Sequence, residues 1–201
     1  MARNHQAKPH ERNKKSIKLG FIRLISGKWR GKKLPVINKE GLRPTTDRTK
    51  ETLFNWLMHD IRDANCLDCF SGSGSLAFEA LSRFANHALL LERDKTASQQ
   101  LQENLTALHI DNAQVIQTDS ISYLQQTANQ TFDVVFVDPP FNQNLVTPCC
   151  EALEKNGYLT DNALIYVEIE SKATQVTLPA NWKLLKEKST GQVSYSLYTR
   201  A

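Results

Sequence analysis

From Thr46 onwards the chain alternates between stretches with helical spacing of apolar residues and short, continuously apolar runs. Apolar residues recur at helical spacing from 53 to 61, and Thr46 or Asp47 can cap that helix. Such alternation predicts an α/β fold, in which a mostly parallel sheet carries helices on both faces. The apolar runs predict strands at 65–70, 88–92, 113–117, 132–138 and 163–169, with helices between them at about 74–84, 95–108, 119–127 and 145–156.

The first 50 residues are strongly basic. They hold 15 Lys and Arg against 3 Asp and Glu, a formal charge of +12, whereas residues 51–201 carry −8. Phe21–Ile25 and Lys33–Ile37 flank a basic, glycine-bounded segment, which predicts a small β-hairpin. A basic head on an acidic body indicates a polyanionic partner, with nucleic acid as the leading candidate. The expected RNA-binding residues are Arg23, Lys28, Trp29, Arg30, Lys32, Lys33 and Arg43.

By composition the chain divides into three parts. Residues 1–16 have almost no apolar content, which is typical of a disordered basic extension. Residues 17–40 hold the basic hairpin, and residues 41–201 form the α/β domain. Trp29, in the hairpin, suits stacking on a base and equally suits covering the hairpin against the body. In the tail, the segment 182–199 predicts an antiparallel hairpin that closes the sheet edge.

Signs of membrane insertion, secretion and metal binding are lacking. No stretch approaches the ~18 apolar residues of a membrane span, and the N-terminus has no apolar signal-peptide core. We therefore expect a cytoplasmic monomer that binds no metal. A strand directs Cys66 and Cys69 to opposite faces, and Cys149 and Cys150 have no His or Cys cluster nearby. All four thiols should be reduced and packed.

The stretch Leu67–Gly74 falls where the first strand of the α/β region turns into a helix. Gly72 and Gly74 let the backbone approach a ligand, and the helix N-terminus presents N–H groups that attract an anion. Continued to Ala77, the glycines satisfy the Rossmann-like pattern GxGxxA, and Glu92 follows Gly72 by 20 residues, as an acidic partner of a ribose hydroxyl should. Taken alone, these features support a nicotinamide cofactor; no lysine follows, so a P-loop is excluded.

Two further carboxylates favour a different cofactor. Asp68 stands inside the turn, where it would repel a pyrophosphate but can receive the ammonium group of an amino acid. Asp119 follows the third strand and can accept from an adenine amino group, although Glu92 and Asp119 also suit helix N-caps. A ligand with an amino acid, a ribose and an adenine matches these acceptors, which describes S-adenosylmethionine. The expected cofactor-binding residues are Asp68, Phe70, Gly72, Gly74, Glu92 and Asp119.

The tetrapeptide Asp138-Pro139-Pro140-Phe141 ends a buried apolar run. A parallel sheet delivers its ligand groups at this end of its strands, and the prolines hold the preceding residues extended. The acceptors can bind the N–H groups of an amino group on a flat heterocycle, while Phe141 stacks on the ring. We therefore expect Asp138, Pro139, Pro140 and Phe141 to be catalytic. A proline-terminated strand with a solvated Asp and a packing Phe is the alternative.

Five segments together carry a family resemblance. They are FIRLISGKWRGKKL at 21–34, LRPTTDRTKETLFNWL at 42–57, LDCFSGSG at 67–74, LLLERD at 89–94 and DVVFVDPPF at 133–141. They resemble the 16S rRNA guanine-N2 methyltransferase D family, most specifically in Arg43-Pro44-Thr45 with Arg48 and Glu51, combined with DPPF. The resemblance implies a class I methyltransferase that uses S-adenosylmethionine to methylate N2 of guanine 966 in 16S rRNA, on an assembled or nearly assembled small subunit.

Three alternatives stay open on the residues alone. An adenine N6, a cytosine N4 or a protein glutamine presents the same kind of amino group to DPPF; the basic hairpin argues for nucleic acid, and only the resemblance argues for guanine. A nicotinamide-dependent oxidoreductase would bind NAD in the same turn. A non-catalytic RNA-binding module would leave the cofactor turn and DPPF without a purpose.

Overall fold

A computed structural model of the chain describes residues 19–37, 46–170, 176–191 and 193–201. The extension expected over 1–16 and the expected RNA-binding residue Arg43 lie outside the described residues. Near the N-terminus, β1 (Leu19–Arg23) and β2 (Lys33–Ile37) pair antiparallel, with a 3-10 turn at Gly27–Trp29 between them. The predicted N-terminal hairpin is thus confirmed.

The α/β alternation predicted from residue 46 onwards is confirmed. The first helix begins where its cap was expected, because the Thr46 hydroxyl accepts from the Thr49 N–H at 3.2 Å. The elements that follow the hairpin are α1 (Asp47–Trp56), β3 (Asn65–Asp68), α2 (Ser75–Ser82), β4 (His87–Glu92), α3 (Lys95–Ala107), β5 (Ala113–Gln117), α4 (Ser120–Leu124), β6 (Phe132–Val137), α5 (Val146–Lys155), β7 (Leu159–Glu170), β8 (Trp182–Thr190) and β9 (Val193–Arg200).

One seven-stranded sheet organises the body, in the order β5-β4-β3-β6-β7-β9-β8. The pairs from β5 to β7 are parallel, and β9 pairs antiparallel with both β7 and β8, which confirms the antiparallel hairpin at the edge. The chain runs outwards from β3 through β4 to β5, then returns to the other side of β3 with β6. Ligands of open α/β sheets bind beyond the carboxyl ends of the strands at such a reversal of strand order.

Two apolar layers cover the faces of this sheet. One contains residues of α1, α2, α3 and the N-terminal hairpin, and the other contains residues of α4 and α5. Cys66 belongs to the first layer and Cys69 to the second, as the spacing predicted. All four cysteines are buried free thiols.

The N-terminal hairpin is packed onto the body through buried residues. Ile22, Leu24, Leu34 and Val36 share one apolar cluster with α1 and α2. Full burial of such a side chain contributes about 1.5–3 kcal/mol. Glu79 of α2, which is 0% exposed, accepts from two hairpin N–H groups, those of Ile25 at 2.8 Å and Ser26 at 3.1 Å. The hairpin therefore has polar as well as apolar attachments to α2.

Candidate active site

A cleft of about 600 Å³ lies at the carboxyl ends of β3, β4, β5 and β6. Most of the predicted site residues line it, although they come from four different strand ends. Those residues are Asp68, Phe70, Gly72, Glu92, Asp119, Asp138, Pro139, Pro140 and Phe141. The structure therefore brings the predicted cofactor turn and the DPPF segment to one cavity.

The glycine turn joins β3 to α2 and needs its glycine backbone. Gly74 has φ +74 and stands just before the first residue of α2. A Cβ on Gly74 would come within 2.6 Å of both the Leu101 and the Phe78 side chains, so other residues are excluded. Gly74 shapes the turn and is not among the residues that line the cleft, whereas Gly72 lines it directly.

Glu92, at the end of β4, fastens this turn to the neighbouring strand. Its Oε2 accepts from the Gly72 N–H at 2.8 Å, and its Oε1 accepts from the Asp94 N–H at 2.7 Å. The cap of α3 is Asp94, which accepts from the Ala97 N–H at 2.9 Å, so the alternative role of Glu92 as a helix cap is wrong. Glu92 also lines the cleft, where a ligand can reach it.

Asp68 is a buried carboxyl group, 3% exposed, beneath the glycine turn. Burial raises its pKa to about 7, because the charged form loses water. Backbone N–H groups of Ala77 and Phe70 lower the same pKa in part, and the neighbouring Glu92 raises it. An ammonium group placed in the cleft would favour the ionised form of Asp68.

Asp119 both caps a helix and lines the cleft. Its Oδ1 accepts from the Ser122 N–H at 2.9 Å and from the Ser122 hydroxyl at 3.0 Å. The Ser122 N–H is the main cause of the lowered pKa of Asp119, and Arg93 lowers it further. The predicted cap and the predicted position in the cofactor cleft are therefore both present.

Asp138 follows β6 directly, and its neighbours differ in exposure: Pro139 is buried, Pro140 is exposed and Phe141 is partly buried. Burial, the charge of Glu168 and then the charge of Asp138 raise the pKa of the Tyr166 phenol. Asp138 therefore lies close to the buried Tyr166. A second cavity of about 290 Å³ shares Pro139, Pro140 and Phe141 with the first. The two cavities therefore meet at this segment, which borders both.

Ser75 is a cleft residue that the motif analysis did not single out. It is the first residue of α2, it is 3% exposed, and its hydroxyl has no hydrogen-bond partner within the described part of the chain. Buried hydroxyl groups normally have a partner. The signal in the sequence was its position after Gly74, at a helix N-terminus that attracts anions.

The basic hairpin presents its charges to solvent. Arg23, Lys28, Arg30, Lys32 and Lys33 are all exposed. Trp29 is partly buried against the apolar cluster, and the Lys28 Nζ lies 4.9 Å from the centre of its ring. The packing role of Trp29 is therefore confirmed, and its stacking on an RNA base stays a prediction. Within the described ranges, no helix is long and apolar enough to cross a membrane, and no group of His, Cys, Asp and Glu is arranged to hold a metal.

The strand order, the glycine turn after the first central strand and the acidic cleft beside DPPF define a class I methyltransferase. The same fold occurs in the Thermus thermophilus 16S rRNA N2 G1207 methyltransferase, solved in complex with AdoMet and guanosine, with a TM-score of 0.68 at 16% identity over 92% of this chain and 51% of that one. A solved structure of Escherichia coli yhhF has a TM-score of 0.85 at 52% identity, over 90% of this chain and 98% of that one. S-adenosylmethionine is the cofactor of this class.

The family is identified by sequence. The family model described as Conserved hypothetical protein 95 matches residues 22–199. The Ribosomal RNA small subunit methyltransferase D of Escherichia coli K12 is 54% identical over 90% of this chain and 91% of that protein. Its Haemophilus influenzae namesake is 56% identical over 89% and 94%. The chain belongs to this methyltransferase family, which confirms the resemblance found in its motifs.

Proposed function

We propose that this protein transfers a methyl group from S-adenosylmethionine to the exocyclic N2 of guanine 966 in 16S rRNA. Its substrate is the small ribosomal subunit or a late assembly intermediate of it, and it acts as a cytoplasmic monomer. The relatives' name supports ribosomal RNA as the substrate class, and the motif resemblance supports guanine N2. The observation that carries the proposal is that Asp138 and the glycine turn line a single cleft.

The cleft residues fit the cofactor group by group. Asp68 can receive the ammonium group. The α2 N-terminus can receive the carboxylate, together with the Ser75 hydroxyl, which has no partner among the described residues. Glu92 suits the ribose hydroxyls, and Asp119 the adenine amino group. Five carboxylates line the cleft against two cationic side chains, an excess of negative charge that favours a cationic ligand and repels a pyrophosphate. This arrangement, together with the methyltransferase relatives, removes the support for a nicotinamide-dependent oxidoreductase.

Bound there, the cofactor supplies an electrophilic methyl group. The guanine N2 is a poor nucleophile because its lone pair is delocalised into the ring. The Asp138 carboxylate and the Pro139 carbonyl accept its N–H groups as it becomes pyramidal, which stabilises the developing positive charge. After the new N–C bond has formed, the surplus proton leaves to Asp138 or to water, so a finely tuned base is unnecessary.

The target base must leave its stack to reach this cleft. Phe141 is partly buried at the border of both cavities, where its ring can stack on an unstacked base. The exposed cations of the hairpin would hold the surrounding phosphates, which contributes affinity without base specificity. In-line placement of N2 and the methyl group supplies much of the remaining acceleration.

Replacement of Asp138 by Ala tests the proposal. Small subunits from cells that lack this methylation would be incubated with the enzyme and tritiated S-adenosylmethionine, then digested and analysed by mass spectrometry for N2-methylguanosine. We expect the rate to fall by about 100-fold or more, as for removal of one preorganised charge-stabilising group. The cofactor dissociation constant, measured by calorimetry, should change little.

Asp111→Ala is the matched control, because Asp111 is an exposed carboxylate that does not line the cleft. It should leave both measurements unchanged. Retained activity in Asp138→Ala would refute the catalytic role. Mapping of the label to another base, or to protein, would refute the proposed substrate.

A further inference from the structure

Near its C-terminal end, β7 places a second carboxylate, that of Glu168, beside Asp138. The parallel pairing of β6 with β7 matches Val137 with Val167. Asp138 is the residue after Val137, and Glu168 is the residue after Val167. Neighbouring strands lie about 4.8 Å apart. The backbones of Asp138, just beyond β6, and Glu168, within β7, therefore lie side by side.

Both side chains start on the same face of the sheet. Residues two apart along a strand share a face, so Asp138 follows Phe136 and Glu168 follows Tyr166. Phe136 and Tyr166 are themselves a register pair, and their rings meet edge to face with centres 6.5 Å apart. The same face therefore presents two carboxylates directly above this aromatic pair.

Tyr166 orients the second carboxylate. Its hydroxyl donates to Glu168 Oε2 at 2.9 Å, while the ring is fully buried. A carboxylate offers about four acceptor positions and can therefore bind several donors at once. Because the Tyr166 ring is held in the core, the position of the Glu168 carboxylate is set before any substrate arrives.

Glu168 lines the second cavity, which meets the cofactor cleft at the DPPF segment. This cavity of about 290 Å³ also contains Pro139, Pro140 and Phe141, which border the cofactor cleft too. A flat base that rests on this shared segment would reach Asp138 with one group and Glu168 with the adjacent one.

The edges of the nucleobases differ in what they present beside the amino group. Guanine carries an N1–H donor next to its N2 amino group, whereas adenine N1 and cytosine N3 are acceptors next to theirs. A carboxylate accepts from an N–H and repels a lone pair. Asp138 binds only the amino group, so it does not discriminate among these three bases.

We propose that Glu168 is the specificity-determining residue of the site: its carboxylate accepts the N1–H of the target guanine while Asp138 and Pro139 hold the N2 amino group. The inference rests on the proposed guanine N2 methylation. Tyr166 is a positioning residue, because it acts through Glu168. A site that depends on one donor of its substrate strongly rejects an analogue that lacks it.

The test uses 2-aminopurine, which keeps the amino group at position 2 but has an acceptor at N1. Ribosomal RNA with guanine or 2-aminopurine at the methylated position would be prepared by ligation and assembled into small subunits. Methyl transfer to each would be measured with the full-length wild-type enzyme, with Glu168→Gln, with Tyr166→Phe and with Glu151→Gln. Glu151 is exposed on α5 and serves as the control.

Glu168→Gln should lower kcat/KM on guanine by about 10-fold, because a neutral hydrogen bond replaces a charge-assisted one. On 2-aminopurine the same variant should be faster than the wild type, because the amide N–H donates to N1. Tyr166→Phe should lower the rate on guanine without any gain on 2-aminopurine. Glu151→Gln should match the wild type on both substrates, and cofactor affinity should be the same in all four proteins.

Two negative results are distinguishable. If the wild type forms no N2-methylguanosine, the proposed function fails. If the wild type methylates guanine but Glu168→Gln keeps the wild-type ratio of guanine to 2-aminopurine rates, the reading of N1–H by Glu168 is overturned while the proposed function stands.

Discussion

Replacement of Asp68 by Asn should stabilise the protein relative to the wild type by an amount that grows as the pH rises, while weakening cofactor binding. The carboxyl group of Asp68 is 3% exposed and has a pKa of about 7, against an ordinary value of 3.8. Each unit of pKa corresponds to about 1.4 kcal/mol, so ionised Asp68 destabilises the fold by about 4 kcal/mol. Asn has nearly the same shape and carries no charge.

The direction of this pH dependence follows from how many protons the folded and unfolded states bind. Between pH 3.8 and about 7, the folded protein retains the Asp68 proton that the unfolded chain has already lost. The stability due to the neutral form is therefore complete below pH 3.8 and is lost as the pH rises through about 7. Above that pH both states are ionised and the destabilisation is constant.

The quantity to measure is the difference in stability between Asp68→Asn and the wild type at pH 5 and at pH 8. Between pH 5 and the folded-state pKa of Asp68 lie about two pH units in which the wild type loses stability. The difference in free energy of unfolding between the variant and the wild type should therefore grow by about 3 kcal/mol. For a chain of this size, that is a rise of about 6–12 °C in the difference between melting temperatures. The amide introduced at position 68 does not titrate, so any loss of stability from burying its N–H groups is the same at pH 5 and pH 8 and does not affect this comparison.

Thermal unfolding of the two proteins across this pH range provides the assay. Asp111→Asn, at an exposed site, should show no change with pH relative to the wild type. Calorimetry should show that S-adenosylmethionine binding to the wild type releases protons near pH 7, because the ammonium group lowers the pKa of Asp68. A stability difference that stays flat from pH 5 to pH 8 would refute the reasoning about burial.

Two further outcomes concern the cofactor cleft and the hairpin. Glu92→Ala should raise the cofactor dissociation constant by about 10- to 100-fold, because bonds to a charged group contribute about 1.5–3 kcal/mol; an unchanged constant would reject its role at the ribose. Replacing Lys28, Arg30 and Lys32 together by Gln should reduce the slope of log affinity for RNA against log salt by about 2–3, since each lost phosphate contact removes about 0.7–0.9. The control changes three exposed lysines outside the hairpin to Gln, namely Lys155, Lys183 and Lys186. An equal change in slope for this control would exclude a specific role for the hairpin tip.

The meeting of the glycine turn with DPPF could be predicted because it follows from topology. Both segments end buried strands, and the carboxyl ends of parallel strands share one edge of the sheet. The pattern could also place Asp119, whose cap and cleft positions coincide at the end of β5. Local sequence carries this kind of information because it sets where each strand stops.

Contacts between distant segments could not be predicted. Glu79 lies in an apolar stretch of α2, and its partners are backbone N–H groups more than 50 residues earlier in the chain. Lys50, 1% exposed, likewise donates to the carbonyl of Arg23 at 2.6 Å. Backbone groups are the same in every residue, so no side-chain pattern marks them as partners. For this reason the hairpin looked separable in sequence, whereas removing residues 1–40 would uncover part of the core.

The start of β7 shows a smaller limit of the pattern. The apolar run predicted that this strand begins at residue 163, but β7 begins at Leu159, where it already pairs with β6. The register of this pairing shifts between Phe132 and Val134. Asn162 has φ +63 in this stretch. The polar residues between Leu159 and Ala163 hide the start of the strand, because a prediction from alternating apolar residues assumes an unbroken register.

Helix α2 connects the glycine turn of the cofactor cleft with the hairpin proposed to bind the RNA backbone. It begins at the glycine turn, and near its end Gly27 of the hairpin approaches it so closely that a Cβ would lie 1.7 Å from the Ser82 carbonyl oxygen. Eight helical residues rise by about 12 Å. The helix is therefore a spacer of fixed length between the methyl-donor end of the cleft and the hairpin, and it would set how far from the methylated base the hairpin can hold a phosphate.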